Sequence, residues 1–91
     1  MANRKEYRVF RLRNPARREL YYGSTKDYET EYLTHFEGAV AVTAHWKFEE
    51  EGVRDTLLEE LYTKSKAAAK AASLRAGAPP EEFAGYALLD D

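Results

Sequence analysis

The residues best suited to do chemistry lie in one short stretch, Tyr21-Tyr22-Gly23-Ser24-Thr25. Two phenols and two hydroxyls flank a glycine, and a strand ending there would bring them together at one edge of a sheet. Such groups exchange protons and hydrogen-bond to substrates or ligands. A second interpretation is structural: one ring in the core, a glycine turn and a helix cap. Taken alone, the stretch favours this second interpretation.

Other kinds of catalytic or metal site find little support. The chain has no cysteine, which excludes thiolate nucleophiles and thiolate zinc sites. Its glycines are scattered, its serines lack the context of a nucleophile elbow, and His35 and His45 are not spaced as a ligand pair. The acidic run Glu49-Glu50-Glu51 is better interpreted as a solvated surface than as a cation site. We therefore predict no resident metal.

Charge is strongly segregated along a chain whose net charge is only −2. Residues 1–20 carry +5, residues 21–62 carry −7, residues 63–77 carry +4 and residues 78–91 carry −4. The basic N-terminal segment could meet phosphate, pair internally with the acidic middle, or contact a partner. The candidate nucleic-acid-binding residues are Arg8, Arg11, Arg13, Arg17 and Arg18. The overall acidity argues against strong nonspecific DNA affinity.

The first half of the chain predicts a hairpin followed by a helix. Tyr7–Arg13 alternates like a strand, Asn14-Pro15 opens a turn, and Glu19–Ser24 forms a second strand that pairs antiparallel with the first. Apolar residues then recur at helical spacing from Tyr28 to Glu37, between a cap at Asp27, with Thr25 as the alternative, and a terminating Gly38. The rings predicted to pack in the core are Phe10, Tyr28, Tyr32, Phe36, Trp46 and Phe48.

The second half predicts one more strand and a long helical region. His45–Glu50 alternates like a third strand, and Asp55 can cap a helix through Leu57, Leu58, Leu61 and Tyr62. The alanine-rich stretch Lys66–Ala76 is strongly helical, with a division from the preceding helix at Thr63 or Ser65. Pro80–Leu89 suits a short terminal helix. The order β-β-α-β-α predicts an α+β fold with a small three-stranded antiparallel sheet flanked by helices.

Two segments of this pattern resemble the opening of a GIY-YIG nuclease domain. They are Arg8-Val9-Phe10-Arg11-Leu12-Arg13-Asn14 and Glu19-Leu20-Tyr21-Tyr22-Gly23-Ser24-Thr25, followed by a helix ending Tyr32-Leu33-Thr34-His35. With Trp46 and the last long helix, the resemblance covers residues 7–76. It implies a three-stranded antiparallel sheet and cleavage of phosphodiesters with a divalent metal. It also implies tyrosines around the attacking water, an arginine on the first helix and a metal-binding glutamate on a later helix.

This chain departs from the implied catalytic pattern at several positions. Arg8 stands at the first-motif glycine, Phe10 at its tyrosine, and Glu31 at the arginine position four residues before a retained His35. The stretch Lys66–Ala72, where the glutamate is expected, contains no acid. Losing several catalytic groups together leaves little activity. We therefore expect a vestigial site made of Phe10, Tyr21, Tyr22, Gly23, Glu31 and His35.

The predicted function is a non-enzymatic binding or interaction module on a degenerate nuclease-like scaffold. The alternatives are an active divergent endonuclease and a nucleic-acid-binding domain without cleavage; only the endonuclease would need Mg²⁺ or Mn²⁺. We expect a protein partner or self-association. The sequence contains no run of ~18 apolar residues, so we predict no membrane span. We expect one cytoplasmic domain over residues 1–91, with residues 78–91 as a C-terminal helical extension.

Overall fold

The computed structural model describes residues 4–90, which form a four-stranded mixed sheet with three α-helices. The elements are β1 (Tyr7–Asn14), β2 (Glu19–Thr25), α1 (Tyr28–Phe36), α2 (Phe48–Glu51), β3 (Arg54–Leu61), α3 (Lys64–Ala76) and β4 (Ala87–Leu88), with 3-10 turns at Ala41–Thr43 and Glu81–Phe83. The strand order is β3-β1-β2-β4; β1 pairs antiparallel with both β2 and β3, and β4 runs parallel to β2. The α+β class is confirmed, but the sheet has four strands where we predicted three.

The alternation of side chains along β1 and β2 divides the core between the two faces of the sheet. On one face, Phe10, Leu12 and Tyr21 pack with Trp46 and Phe48. On the other face two clusters form, one from Val9, Ala67 and Ala71 and one from Leu20, Tyr22 and Phe83. The paired tyrosines Tyr21 and Tyr22 therefore point to opposite faces, and only the first of them can belong to a site beside α1.

The middle of the chain differs from the sequence-based expectation. The predicted third strand His45–Glu50 is wrong: its second half belongs to the one-turn helix α2, which ends at Gly52 in the left-handed conformation (φ +70°). The helix predicted from Asp55 is also wrong, because Arg54–Leu61 is strand β3 and pairs along β1. Both errors have one cause, since the free edge of β1 offers a full ladder of backbone hydrogen bonds that local propensity does not reveal.

The helix boundaries set by side-chain caps agree with the sequence. The Asp27 carboxylate accepts hydrogen bonds from the backbone N–H and the hydroxyl of Thr30, which begins α1 where predicted. Thr63 accepts from the backbone N–H of Lys66, so α3 begins at Lys64. Phe36 is the exception among the predicted core rings, because 43% of its surface remains exposed.

The C-terminal segment is not the predicted helix. It contains the turn Glu81–Phe83 and the short strand β4, whose flanking residues bond back to β2 and its preceding turn: Ala87 N–H to the Arg18 carbonyl (2.9 Å) and Leu89 N–H to the Leu20 carbonyl (2.8 Å). Phe83 is buried against Leu20 and Tyr22. Within residues 4–90, no helix combines the length and the apolar character needed to cross a membrane.

Glu51 ties the β1–β2 turn to the start of α2, and it should make stability depend on acid pH. The backbone N–H of Lys47, together with Arg17 and Asn14, lowers the pKa of the Glu51 carboxyl from 4.5 to about 2. A group whose folded pKa is lowered stabilises the fold above its unfolded pKa and loses this effect as pH falls. We expect Glu51→Gln to lower the Tm above pH 4.5, with the difference shrinking as pH falls toward 2. Thermal unfolding of both proteins across this range measures it; a constant difference would contradict the prediction.

Candidate functional site

Three rings predicted to mark a vestigial site come together on the α1 face of the sheet. Phe10 from β1, Tyr21 from β2 and His35 from α1 have ring centroids 5.3 to 6.3 Å apart. All three side chains are buried. The hairpin sets the separation of the first two, because Leu12 lies opposite Tyr21 in the ladder and shares a face with Phe10. The arrangement is a packed aromatic cluster at the base of a cleft.

Gly23 makes this packing possible. It lies opposite Phe10 in the ladder, and a Cβ added there would sit 2.6 Å from Phe10 Cζ and 3.0 Å from Tyr21 Cε2. Its backbone is not in the left-handed region, so the requirement for glycine comes from the close approach of the ring rather than from the turn. Gly23 therefore belongs to the predicted site, where its lack of a side chain leaves room for the rings of Phe10 and Tyr21.

Glu31 and His35 form a hydrogen-bonded pair one turn apart on α1. The Glu31 Oε2 atom lies 3.1 Å from His35 Nε2, and the Thr43 hydroxyl lies 2.6 Å from Nδ1. A carboxylate only accepts hydrogen bonds, so Nε2 carries a proton; the neutral tautomer can then accept from Thr43 at Nδ1. Both ring nitrogens of this fully buried histidine are thus engaged within the protein. Nothing in the sequence singled out Thr43.

An open cleft of about 670 Å³ lies beside this pair, and its polar lining is mainly acidic. The cleft is lined by Tyr21, Ser24, Glu31, Val40, Ala41, Val42 and Asp90. Its apolar lining comes from Val40 to Val42, and its two charged lining residues are Glu31 and Asp90. The small-residue stretch after α1 therefore forms part of the cleft, and Asp90 is a lining residue that the sequence did not indicate.

Arg75 on α3 is a third residue, after Thr43 and Asp90, that the sequence did not indicate. It donates to the Tyr22 carbonyl (2.8 Å), its Nε lies 3.3 Å from Asp90 Oδ1, and its guanidinium carbon is 6.0 Å from the Tyr21 ring centre. The resemblance implies a cation on the first helix and a carboxylate on the last. Here α1 supplies the carboxylate of Glu31 and α3 supplies the guanidinium of Arg75. The signs of the charges that the two helices bring near Tyr21 are therefore the reverse of those that the resemblance implies.

The donor groups do not fit the divalent metal that the resemblance implies. Glu31 is hydrogen-bonded to His35, and Asp90 is paired with Arg75. Among residues 4–90, no group of three or more His, Cys, Asp or Glu side chains is placed to hold a metal ion.

Tyr28 connects the aromatic cluster to β3. Its ring lies 5.5 Å from that of Phe10, and its hydroxyl donates to the Asp55 carboxylate. Burial and this hydrogen bond raise the pKa of the Tyr28 phenol well above its ordinary value of 10. The phenol therefore stays protonated at neutral pH and anchors α1 to the edge of the sheet.

The candidate nucleic-acid-binding arginines do not share one open face. Arg11 and Arg13 cover Phe83, with guanidinium carbons 4.6 and 5.5 Å from its ring centre. Arg8 and Arg11 alternate along β1 and therefore differ in the face they occupy. Part of the positive charge of the N-terminal segment is therefore engaged in cation–π contacts with the C-terminal segment.

The two turn arginines also have internal partners. Arg17 forms an ion pair with Glu51 at 2.7 Å. Arg18 lies 3.3 Å from the Ala84 carbonyl and 5.6 Å from the Tyr86 ring centre. Arg17 therefore pairs with the acidic middle of the chain, as the internal interpretation of charge segregation expects, whereas Arg18 contacts the C-terminal segment instead.

Comparison of the chain with protein-family models, curated proteins and solved structures found no match. The resemblance to GIY-YIG nucleases therefore remains a prediction from the sequence. The contacts around Tyr21 and the exposed surfaces of the sheet and its helices are the features that indicate a function.

Proposed function

We propose that this protein is a non-enzymatic interaction module on a degenerate GIY-YIG nuclease-like scaffold. The observation that carries the proposal is the Glu31–His35 pair, in which a carboxylate occupies the position where the resemblance implies a phosphate-binding arginine. Phosphodiester cleavage needs stabilisation of added negative charge and an activated water. A carboxylate at the position of the phosphate-binding arginine opposes the reaction, because it repels the added negative charge.

The active-endonuclease alternative has weaker support. Phe10 lacks a hydroxyl, both nitrogens of His35 are engaged, and Arg75 pairs with Asp90. The alternative of nucleic-acid binding through Arg8, Arg11, Arg13, Arg17 and Arg18 is also weakened, because all of these except Arg8 contact Phe83, Glu51 or Tyr86. Of the three functions considered from the sequence, binding of a protein partner is therefore the best supported.

The edge strand β3 is the surface best suited to a protein partner. It lies at one end of the strand order, and in the described part of the chain its outer edge pairs with no strand. Residues Arg54 to Glu60 are all exposed, including 44% of Leu57 and 40% of Leu58. An open edge of this kind presents unpaired backbone groups that a further extended segment can pair with.

The charge of β3 indicates the occupant. The strand carries one cation, Arg54, and three acids, Asp55, Glu59 and Glu60. Two copies side by side would bring six carboxylates together, and like charges across strands are destabilising. An extended segment that alternates apolar and basic residues would instead complement both the leucines and the acids. The proposed partner is therefore a protein that offers such a segment.

Peptide binding tests this partner class. We expect an eight-residue peptide alternating valine with lysine, matched to the length of β3, to shift β3 amide resonances in a titration. Glu59→Lys/Glu60→Lys should weaken binding about tenfold, because each lysine replaces attraction by repulsion. The matched control Glu81→Lys/Glu82→Lys makes the same change of net charge at another exposed acidic pair and should leave the affinity unchanged.

Two results would overturn the proposed partner class. Equal binding of a valine–glutamate peptide would show that charge does not select the occupant. A concentration-dependent dimer in sedimentation velocity, lost in Leu57→Lys, would instead identify a second copy as the occupant of β3.

A further inference from the structure

A separate surface lies at the end of the sheet where β1 begins and β2 ends. It contains a cavity of about 380 Å³ lined by Tyr7, Ser24, Thr25, Lys26, Lys64 and Ala68. The lining offers two ammonium groups and three hydroxyls, and none of these described residues is acidic. The Thr25 hydroxyl donates to the Asp27 carbonyl, so the hydroxyl donors open to a ligand are those of Tyr7 and Ser24. Cations and hydroxyl donors converging on one cavity are the groups that bind phosphate oxygens.

The start of α3 adds to the positive potential of this cavity. Lys64 is the first residue of the thirteen-residue helix, whose first turn contains no acid. The N-terminal end of a helix carries a partial positive charge, so α3 and its lysine act in the same direction. Lys26 approaches from the end of β2, and the two elements together surround the space.

A second cavity of about 310 Å³ continues the surface. It is lined by Arg4, Lys5, Glu6, Arg8 and Lys26, so the two cavities share Lys26. Glu6 is the acidic residue here, and its 3.5 Å contact with Lys26 joins two exposed side chains, a pair that binds weakly. Arg8 lies opposite Glu60 in the ladder, so the positive charge is centred on Lys26 and Lys64.

Two tyrosine rings accompany these cations. Tyr62 is 50% exposed, with Lys5 Nζ 5.3 Å from its ring centre, and Tyr7 lies under Lys26 Nζ at 6.0 Å. Single-stranded nucleic acids bind where a positive groove follows the backbone and aromatic rings stack with unpaired bases. Both parts of that combination are present on this surface, which we call the Lys26 patch: Arg4, Lys5, Tyr7, Arg8, Lys26, Tyr62 and Lys64.

We propose that the Lys26 patch binds single-stranded nucleic acid, with phosphates at Lys26 and Lys64 and a base on Tyr62. This activity goes beyond the proposed protein-interaction function and uses a different surface from β3. It also differs from the arginine surface considered in the sequence, since only Arg8 is common to both. The net charge of −2 keeps binding modest and makes it depend on the local patch.

Fluorescence anisotropy with a labelled deoxythymidine oligonucleotide of about 12 nucleotides tests the proposal. Binding should be measurable at about 20 mM salt and fall steeply by about 200 mM. Lys26→Glu/Lys64→Glu should weaken it at least about tenfold and reduce the slope of log K against log salt by about 1.4, roughly 0.7 per cation removed. Tyr62→Ala should weaken binding several-fold with an unchanged slope, because stacking releases no counterions.

The matched control is Lys47→Glu/Arg54→Glu, which makes the same charge change at exposed residues near the far end of β1. Compared at about 0.1 M salt, it should reduce affinity less than about threefold. Arg54 pairs with Arg13, roughly 17 Å along β1 from Arg8, and the Debye length is then about 10 Å. Equal losses of affinity in the two double variants would overturn the proposal, because they would show that binding depends on net charge alone and not on the Lys26 patch. Absence of binding at low salt would overturn it as well.

Resonance shifts in the unaltered protein keep the proposal testable if a variant fails to fold. Adding the oligonucleotide should shift the amides of residues 24–26 and 64–68, and shifts confined elsewhere would overturn the assignment. A phosphoserine peptide with the same charge as the oligonucleotide would also overturn the proposal if it competed with the same affinity. That result would indicate a phosphopeptide site.

Discussion

Gly23→Ala is expected to lower the free energy of unfolding by about 3 kcal/mol, toward the upper end of overpacking effects. The added Cβ would lie 2.6 Å from Phe10 Cζ, and the Phe10 ring is only 1% exposed among packed neighbours. The ring has little room to retreat, so the core must shift. Urea unfolding measures the loss. Gly77→Ala is the control, because its nearest contact is 3.4 Å and its change should stay within about 1 kcal/mol.

A double variant isolates the contact responsible. Phe10→Leu removes the two ring atoms nearest to the added methyl group, so Gly23→Ala should cost about 1 kcal/mol or less in that background. Additive losses would contradict the close-approach explanation. They would indicate instead that Gly23 is required for its backbone.

His35→Ala is expected to lower the free energy of unfolding by about 3 to 5 kcal/mol. It removes a fully buried ring, both of its hydrogen bonds and the partner of the buried Thr43 hydroxyl. A residue kept for catalysis alone would not have this effect. The expected magnitude therefore distinguishes a structural histidine from a catalytic one at this position.

The second histidine provides the control for this experiment. His45 pairs with Glu19 at 2.8 Å, but 43% of its side chain is exposed. Surface pairs contribute little, so His45→Ala should cost about 1 kcal/mol or less. If His35→Ala unfolds at the same denaturant concentration as the unaltered protein, the structural role of the Glu31–His35 pair is refuted.

Local signals in the sequence predicted the parts of the fold that are determined locally. Asp27 caps α1 as expected, the β1–β2 hairpin forms around the predicted turn, and α3 covers the alanine-rich stretch. The wrong predictions concern segments whose secondary structure is determined by pairing with residues distant in the sequence. Arg54–Leu61 has apolar spacing compatible with a helix, yet it forms β3 because it completes the hydrogen bonding of β1.

The candidate site divides in the same way. Phe10, Tyr21, Gly23, Glu31 and His35 could be chosen from the sequence through the resemblance, and they come together around the Tyr21 ring. Tyr22 is the exception, since its side chain packs on the opposite face.

The missed residues approach from parts of the chain that show no motif. Thr43, Arg75 and Asp90 become neighbours only after the loop, α3 and the C-terminal segment fold onto the sheet. The tyrosine–glycine motif is local, and its close packing involves Phe10 and Tyr21.

The central proposal is that the groups around Tyr21 do not cleave phosphodiesters. Its most direct test is incubation of the purified protein with single- and double-stranded DNA and RNA in the presence of Mg²⁺ or Mn²⁺. Tyr21→Phe, prepared in the same way, controls for contaminating nucleases because it removes only one hydroxyl. We predict no metal-dependent cleavage above that of the control. Metal-dependent cleavage by the unaltered protein that Tyr21→Phe abolishes would contradict the account.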